Sequence, residues 1–384
     1  MLKDTQKWDR VREILERENL DAIIAKFTEN VLYFTNWWPI TGWGVAVVFR
    51  DRDPVVFVPD TEMDWTKFAI VDDVRPYAPN GNDSVFQQLE SLNLSGLRVG
   101  IEESVQNLAA SHLTYEVQFP SKPFFDGLRD AFPTTTFVDA TPIIYEMRRV
   151  KTPFEIEQLR LVHEMNAHGM LAAYEACEAC SSEMEVQTVF EKATNDAIAD
   201  HPDKVIFVRA LAFVMAGPNG IKASYPYNIS TAYRMQAGEF CMIEINTQVN
   251  GYWSDLTRTC VVGHHPTPEQ EDMFATLNAS IDAACAVMVP GCETATAYLA
   301  CRDVIAQTPY VQYHTPFLGH GIGVKLHETP PLMAATSEGA LELGNYVSVE
   351  PGLYIPEMGA LRIERNAVIR ENGAELIDTA HNQL

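Results

Sequence analysis

The sequence predicts a two-domain protein of the α/β (α+β) class, with a smaller domain over residues 1–145 and a larger one over residues 146–384. Three observations predict it. At 384 residues the chain is long enough to bury two separate cores. In its first part, short apolar runs alternate with amphipathic stretches, the pattern of a sheet covered by helices. A fresh helix start then follows Phe137-Val138-Asp139-Ala140: Thr152 stands at the cap, Pro153 at the first helical position, and Glu155 and Glu157 close behind.

Taken in order, residues 7–19 place Val11, Ile14 and Leu15 at helical spacing, and residues 20–25 read as a buried strand. Further strands are expected at 44–50, 54–58, 98–102 and 136–138, with helices at 82–93 and 121–131. Between them, Asn36-Trp37-Trp38-Pro39-Ile40-Thr41-Gly42-Trp43 sets three indoles in a loop punctuated by Pro and Gly. Such rings either fill a core or wall a substrate pocket, and Trp37 and Trp38 are the candidates for the second role. In the larger domain, helices are expected at 153–178, 183–199, 268–288 and 293–306, with strands between and after them. Residues 216–220 form a turn cluster, and no internal repeat or low-complexity segment occurs.

Composition narrows the function. An apolar fraction of 47% and a charged fraction of 21% are those of a folded globular chain. The formal net charge of −24 would repel nucleic acid and anionic membranes, so neither is expected as a partner. Seven cysteines, an odd number, suit free thiols in a reducing compartment. The N-terminal residues lack an apolar signal core and no run reaches the length of a membrane span, so a cytoplasmic location is expected. Cys177-x-x-Cys180 lies in a helical run with no second pair at zinc spacing, and is expected to be structural.

Chemistry concentrates around Met242–Thr259. Asn250-Gly251, between two alternating runs, suits a two-residue hairpin turn. That turn pairs Val249 with Tyr252, Asn246 with Asp255 and Glu244 with Thr257, so Glu244, Asn246, Asp255 and Thr257 share one face. Two carboxylates so close call for a cation. Downstream, Gly319-His320-Gly321-Ile322-Gly323 flanks a histidine with glycines that would let backbone approach whatever the imidazole binds, and His327 follows seven residues on. Glu350 shares a strand face with Ser348, and Glu364 with Arg362. Oxygen-rich ligands with one imidazole suit Mn, Fe or Co, with Zn less typical. Five such groups can hold two divalent ions sharing a water, which makes a hydrolase.

In order and spacing, Glu244, Asp255 within Ser-Asp-Leu-Thr-Arg-Thr, His320 within Gly-His-Gly-Ile-Gly, Glu350 within Val-Glu-Pro-Gly and Glu364 within Arg-Ile-Glu resemble the metal site of the Xaa-Pro peptidases (prolidase and aminopeptidase P, family M24). Asp21–Ile24, Glu29–Thr35 and Arg149–Ile156 resemble that family's smaller domain and hinge. The resemblance implies a creatinase/prolidase-like N-terminal domain, a C-terminal catalytic domain of the pita-bread (creatinase-like) fold, and a homodimer. It implies that Asp255 and Glu364 bridge two divalent ions, that Glu244 ligates one, and that His320 and Glu350 ligate the other. Glu350 would also be the general base toward the bridging water, and His327 would stabilise the tetrahedral intermediate. Arg362 and Thr257 would hold the carboxylates in place. The implied substrate is a dipeptide or another small amide. Two positions depart from the family pattern: Glu244 stands where the family has Asp, and Ser224, a candidate substrate-binding residue, stands at about the position of a histidine. With those changes one ion or none becomes an alternative to two. The same changes open a second reading, a small-molecule enzyme similar to creatinase, ectoine hydrolase or the dimethylsulfoniopropionate lyase of this fold.

Overall fold

A computed structural model describes residues 4–104, 122–224 and 229–384, and the chain divides into two units, Met1–Arg148 and Arg149–Leu384. In the first unit the buried face of α1 (Thr5–Arg17) carries Val11, Ile14 and Leu15, and Asp4 caps it by accepting from the Lys7 amide at 3.3 Å. The chain continues through β1 (Ala22–Ala25), α2 (Thr28–Thr35), β2 (Val45–Phe49), β3 (Val55–Pro59), β4 (Asp73–Tyr77), α3 (Asn82–Glu90), β5 (Arg98–Ile101), α4 (Lys122–Ala131), β6 (Thr136–Asp139) and α5 (Thr141–Arg149). Among the described residues these strands form one mixed sheet in the order β4-β3-β2-β1-β5-β6. β1, β2 and β3 are buried throughout, which is why their apolar runs are continuous.

The sequence reading passes over β4 because it is an edge strand. Asp-Val-Arg-Pro-Tyr is mostly half-buried and contains a proline, so it carries no apolar run. It passes over α2 and α5 as well, both short. The helix expected at 121–131 runs from Lys122 to Ala131, residue 121 lying outside the described residues.

Of the two roles expected for Trp37, its burial fits the first. Trp37 is 2% exposed, among the core residues of the first unit, and its ring packs so closely on Gly44 that a Cβ there would lie 2.5 Å from it. Trp38 is half-buried. The loop is held by buried Glu62, which accepts from the Ile40 and Thr41 amides at 2.8 and 3.1 Å.

In the second unit, α6 (Pro153–Glu178) and α7 (Glu183–Asp196) both start on capping boxes, Thr152 with Glu155 and Ser182 with Glu185. The expected helix over 183–199 tightens into a 3-10 turn after Asp196. Then come β7 (Val208–Arg209), β8 (Ala212–Ala216), β9 (Phe240–Val249), β10 (Tyr252–Val261), α8 (Pro268–Val287) on a third capping box, α9 (Thr294–Ile305), β11 (Phe317–Gly321), β12 (Glu328–Ala334), β13 (Tyr346–Val349), β14 (Gly352–Ile355), β15 (Gly359–Arg362), β16 (Arg365–Arg370) and β17 (Gly373–Leu376).

Two sheets result among the described residues. One runs β10-β9-β7 with β8 also paired to β9, and the other runs β12-β11-β13-β16-β17; β14 and β15 form a separate ribbon. One core gathers residues of α6 and α7 with the apolar face of β8, β9 and β10. A second gathers residues of α8 and α9 with β11, β13 and β16. Helices thus cover one face of each sheet, and polar side chains collect on the other. No helix among the described residues is long and apolar enough to cross a membrane.

Candidate metal and catalytic site

Asn250 and Gly251 have φ of 51° and 90°, the left-handed pair that a tight hairpin turn needs. The register is the expected one: Val249 opposite Tyr252, Asn246 opposite Asp255, Glu244 opposite Thr257. Ile243, Ile245 and Leu256 therefore face the helices, and the carboxylates face the second sheet. There, Asn366 of β16 fixes Asp255 by its main chain: its Oδ1 accepts from the Asp255 amide at 3.2 Å while its Nδ2 donates to the Asp255 carbonyl. A side-chain amide here does what a neighbouring strand would do. Asn246 donates to Asp255 Oδ1 at 2.8 Å, leaving Oδ2 to face His320.

His320 stands on β11, where glycines 319 and 321 let neighbouring strands close in. A Cβ at Gly319 would lie 2.1 Å from the Ser348 carbonyl oxygen, and one at Gly321 would lie 2.4 Å from that of Glu328. The glycines make room for protein backbone, not for whatever the imidazole binds. The ring donates from Nδ1 to the Gly321 carbonyl at 2.8 Å, which turns Nε2 toward Asp255 Oδ2 at 3.3 Å and Glu350 Oε1 at 3.7 Å. Ser348 donates to Glu350 Oε1 at 3.0 Å and accepts from the His320 amide at 3.1 Å. It ties the Glu350 carboxylate to the main chain of His320.

Glu364 leaves β15 with its amide on the Thr257 carbonyl at 3.0 Å. Its Oε2 accepts from Thr257 Oγ1 at 2.8 Å, and that same hydroxyl accepts from Arg362 Nε at 3.1 Å. Arg362 also donates to the Tyr354 hydroxyl at 3.2 Å and forms an ion pair with Glu244. Behind the hairpin, buried Arg258 donates to the Glu364 carbonyl at 2.6 Å and pairs with Asp378, which Arg365 also holds at 2.7 Å.

The electrostatics are those of crowded acids. Burial pushes Glu350 up to about 7, with Asp255 adding to the push and His320 and Arg362 opposing it. Glu364 is raised well above the usual range by burial and then by Asp255 and Glu350, and Glu244 is raised by burial against the pull of Arg362. Burial works against charge on His320 too, but its contact with Asp255 and the charge of Glu350 outweigh that and raise it. A positive charge among these groups relieves every one of these shifts.

The donor set fits a divalent cation. Asp255, His320 and His327 each offer an atom within 4.8 Å of the others, as do His320, Glu350 and Glu364. Glu364 Oε1 is buried without a hydrogen-bond partner, and a buried carboxylate oxygen in that state costs several kcal/mol unless an ion takes it, roughly. Glu244 belongs to neither group.

Of the remaining predicted residues, His327 is half-buried with its ring centroid 4.4 Å from that of His320. It is anchored by its neighbour Glu328, which accepts from Lys151 Nζ at 2.9 Å. Ser224 ends a 3-10 segment over Gly217–Ser224, and its side chain lies outside the described residues. Asn366, Arg258, Ser348 and Tyr354 were not foreseen as site residues. Ser348 was legible from its shared face with Glu350; the others reach the site from elements whose neighbours sequence alone does not give.

Two α/β units with buried acids and an imidazole converging from two sheets of the larger one define the class, a two-domain metallohydrolase. The match to Metallopeptidase family M24 spans residues 157–371, and that to the Creatinase/Prolidase N-terminal domain spans residues 7–150. The chain belongs to metallopeptidase family M24, and its chemistry is metal-dependent hydrolysis of a peptide bond. It is 24% identical over 379 residues to the Xaa-Pro dipeptidase of Pyrococcus horikoshii, covering 99% of this chain and 98% of that one. The crystal structure of the prolidase from Pyrococcus horikoshii OT3 superposes with a TM-score of 0.76 at 23% identity, covering 98% and 99% of the two chains. That of the X-Pro aminopeptidase from Thermotoga maritima superposes with a TM-score of 0.78 at 20% identity, covering 96% and 99%. At those identities the two structures show the shared fold.

Proposed function

We propose that this protein hydrolyses Xaa-Pro bonds in dipeptides, using one divalent ion held by Asp255, His320, Glu350 and Glu364. The observation that carries the reading is the convergence of Nε2 of His320 and the unpartnered Oε1 of Glu364 on a group of carboxylates. The full-length similarity to the Xaa-Pro dipeptidase of Pyrococcus horikoshii supports the choice of substrate.

The oxygen-rich donor set favours Mn, Fe or Co over Zn. When bound, such an ion supplies Lewis-acid polarisation of the scissile carbonyl and lowers the pKa of water. Glu350, oriented by the Ser348 hydroxyl at 3.0 Å, is the proton acceptor, and it returns that proton to the leaving proline nitrogen, since Ser224 offers no imidazole to do so. His327, its ring centroid 4.4 Å from that of His320, is the donor to the oxyanion that develops. Thr257 and Arg362 keep Glu364 and Glu244 in position. The preference for one ion over the two that the resemblance implies rests on Glu244, whose carboxylate sits on Arg362. A homodimer in the cytoplasm completes the proposal, supported by the family resemblance and by seven free cysteines.

The test is release of free proline from a panel of Xaa-Pro dipeptides with Mn²⁺ or Co²⁺ added. Turnover should appear, vanish with chelator, and fall about 10²- to 10⁴-fold in Glu350→Gln. Wild-type protein that carries the ion yet frees no proline from any member of the panel would overturn the substrate assignment.

A further inference from the structure

Because side chains alternate along a strand, the hairpin that turns Asp255 toward the acids turns Cys241 and Cys260 the other way. The two are directly opposite in the β9–β10 register. Cys177, in the last turns of α6, lies over them with its Sγ 3.6 Å from that of Cys241. All three are fully buried, and their sulfurs lie within 4.8 Å of one another. The Cys177-x-x-Cys180 spacing plays no part in this: Cys180 is half-exposed beyond the helix end.

We propose that Cys177, Cys241 and Cys260 form a second metal site, selective for a soft monovalent ion of the Cu(I) type and separate from the carboxylate site. A metal–thiolate bond of about 2.3 Å puts the sulfurs of a trigonal centre roughly 4.0 Å apart, which the observed cluster meets with shifts of tenths of an ångström. The surroundings are apolar, with Ala173, Val186, Ile243 and Val262 in the same core. Among the described residues no fourth ligand joins the group. A three-sulfur site without a fourth donor favours Cu(I) over tetrahedral zinc, and thiolates exclude the hard ions that the acids prefer.

Thiolates, not thiols, ligate metal, so a trigonal Cu(I) centre releases three protons as the ion enters, and uptake should strengthen as pH rises.

The experiment is an anaerobic titration of the full chain with Cu(I) supplied as its coloured bicinchoninate complex. Wild-type protein should withdraw one equivalent. Cys260→Ser and Cys241→Ser should each weaken the uptake by about 100-fold, while Cys180→Ser and Cys292→Ser, at half-exposed thiols, leave it unchanged. Absence of uptake by wild type, or equal uptake by Cys260→Ser, overturns the proposal. X-ray absorption at the copper edge of loaded wild type decides it without any variant. Three sulfur neighbours at about 2.3 Å are expected; oxygen or nitrogen neighbours would place the copper elsewhere. Neither readout depends on peptidase activity.

Discussion

Glu244 reaches one methylene further than an aspartate could, and the structure spends that reach on an ion pair with Arg362. An aspartate at that position would stop short of the guanidinium and stay beside Asp255, where a second ion could use it. Glu244→Asp should therefore raise the metal content after equilibrium dialysis from one toward two per chain, measured by elemental analysis; wild type already holding two of equal affinity would end this reading. His163 supports the same site from further back. Its Nε2 donates to the Tyr346 hydroxyl at 2.9 Å, which donates to Asn366 Oδ1 at 2.7 Å, leaving Nδ1 buried and unpartnered. Burial, outweighing the pull of Asp378, lowers its pKa from 6.5 to about 4. A depressed histidine pKa means that the unfolded chain binds a proton before the native one does, so the contribution to stability is complete above about 6.5 and is lost as pH falls toward 4. It amounts to about 3 kcal/mol. Denaturant unfolding between pH 4.5 and 6.5 should lose up to one proton of pH dependence in His163→Phe, and an unchanged slope would show that the imidazole is not the titrating group. The hairpin residues were legible because an Asn-Gly turn fixes register by a local rule. Asn366 was not, because its role depends on which strand of one sheet comes to rest against the other.

At the scale of elements, β11 is narrow where it carries His320. Gly319 and Gly321 have neighbouring backbone where a Cβ would be, and Ser348 bridges from β13 to both His320 and Glu350. Gly319→Ala must push β11 away from β13, since the obstructing atom is a carbonyl oxygen and not the end of a flexible side chain. A shift that size should cost about 1–3 kcal/mol and draw Nε2 away from Asp255, so weaker binding of Mn²⁺ in calorimetry should accompany the lower unfolding midpoint. Stability lost with Mn²⁺ affinity intact would mean that the glycine serves packing alone. The sequence marked these glycines but pointed them at a ligand, because a glycine says that something comes close and not what. Helices of the second unit were easier: Thr152 with Glu155, Ser182 with Glu185 and Thr267 with Gln270 are capping boxes, each worth about 1 kcal/mol and each visible in a few adjacent residues. The edge strand β4, with its proline and half-buried polar side chains, had no such local mark.

Over the whole molecule, 52 acidic residues face 28 basic ones. Exposed ion pairs such as Arg17 with Glu146 and Lys192 with Asp196 are each worth about 0–1 kcal/mol and weaken as salt is added. The unpaired excess of 24 negative charges works in the opposite direction, because its mutual repulsion is strongest in the compact state and is relieved by the same screening. Between 0.01 and 1 M salt the screening length falls from about 30 Å to about 3 Å, so repulsion summed over the surface is removed almost entirely, whereas contact pairs are only partly lost. Repulsion should win. Tm in KCl is expected to rise across that range, at about 1 °C per kcal/mol for a chain of this size. Potassium is the cation to use because the carboxylate site prefers divalent ions, and any protection at fixed trace metal then reports screening and not site binding. A Tm that stays flat or falls would mean that the surface pairs, not the excess acid, dominate the electrostatics of the fold.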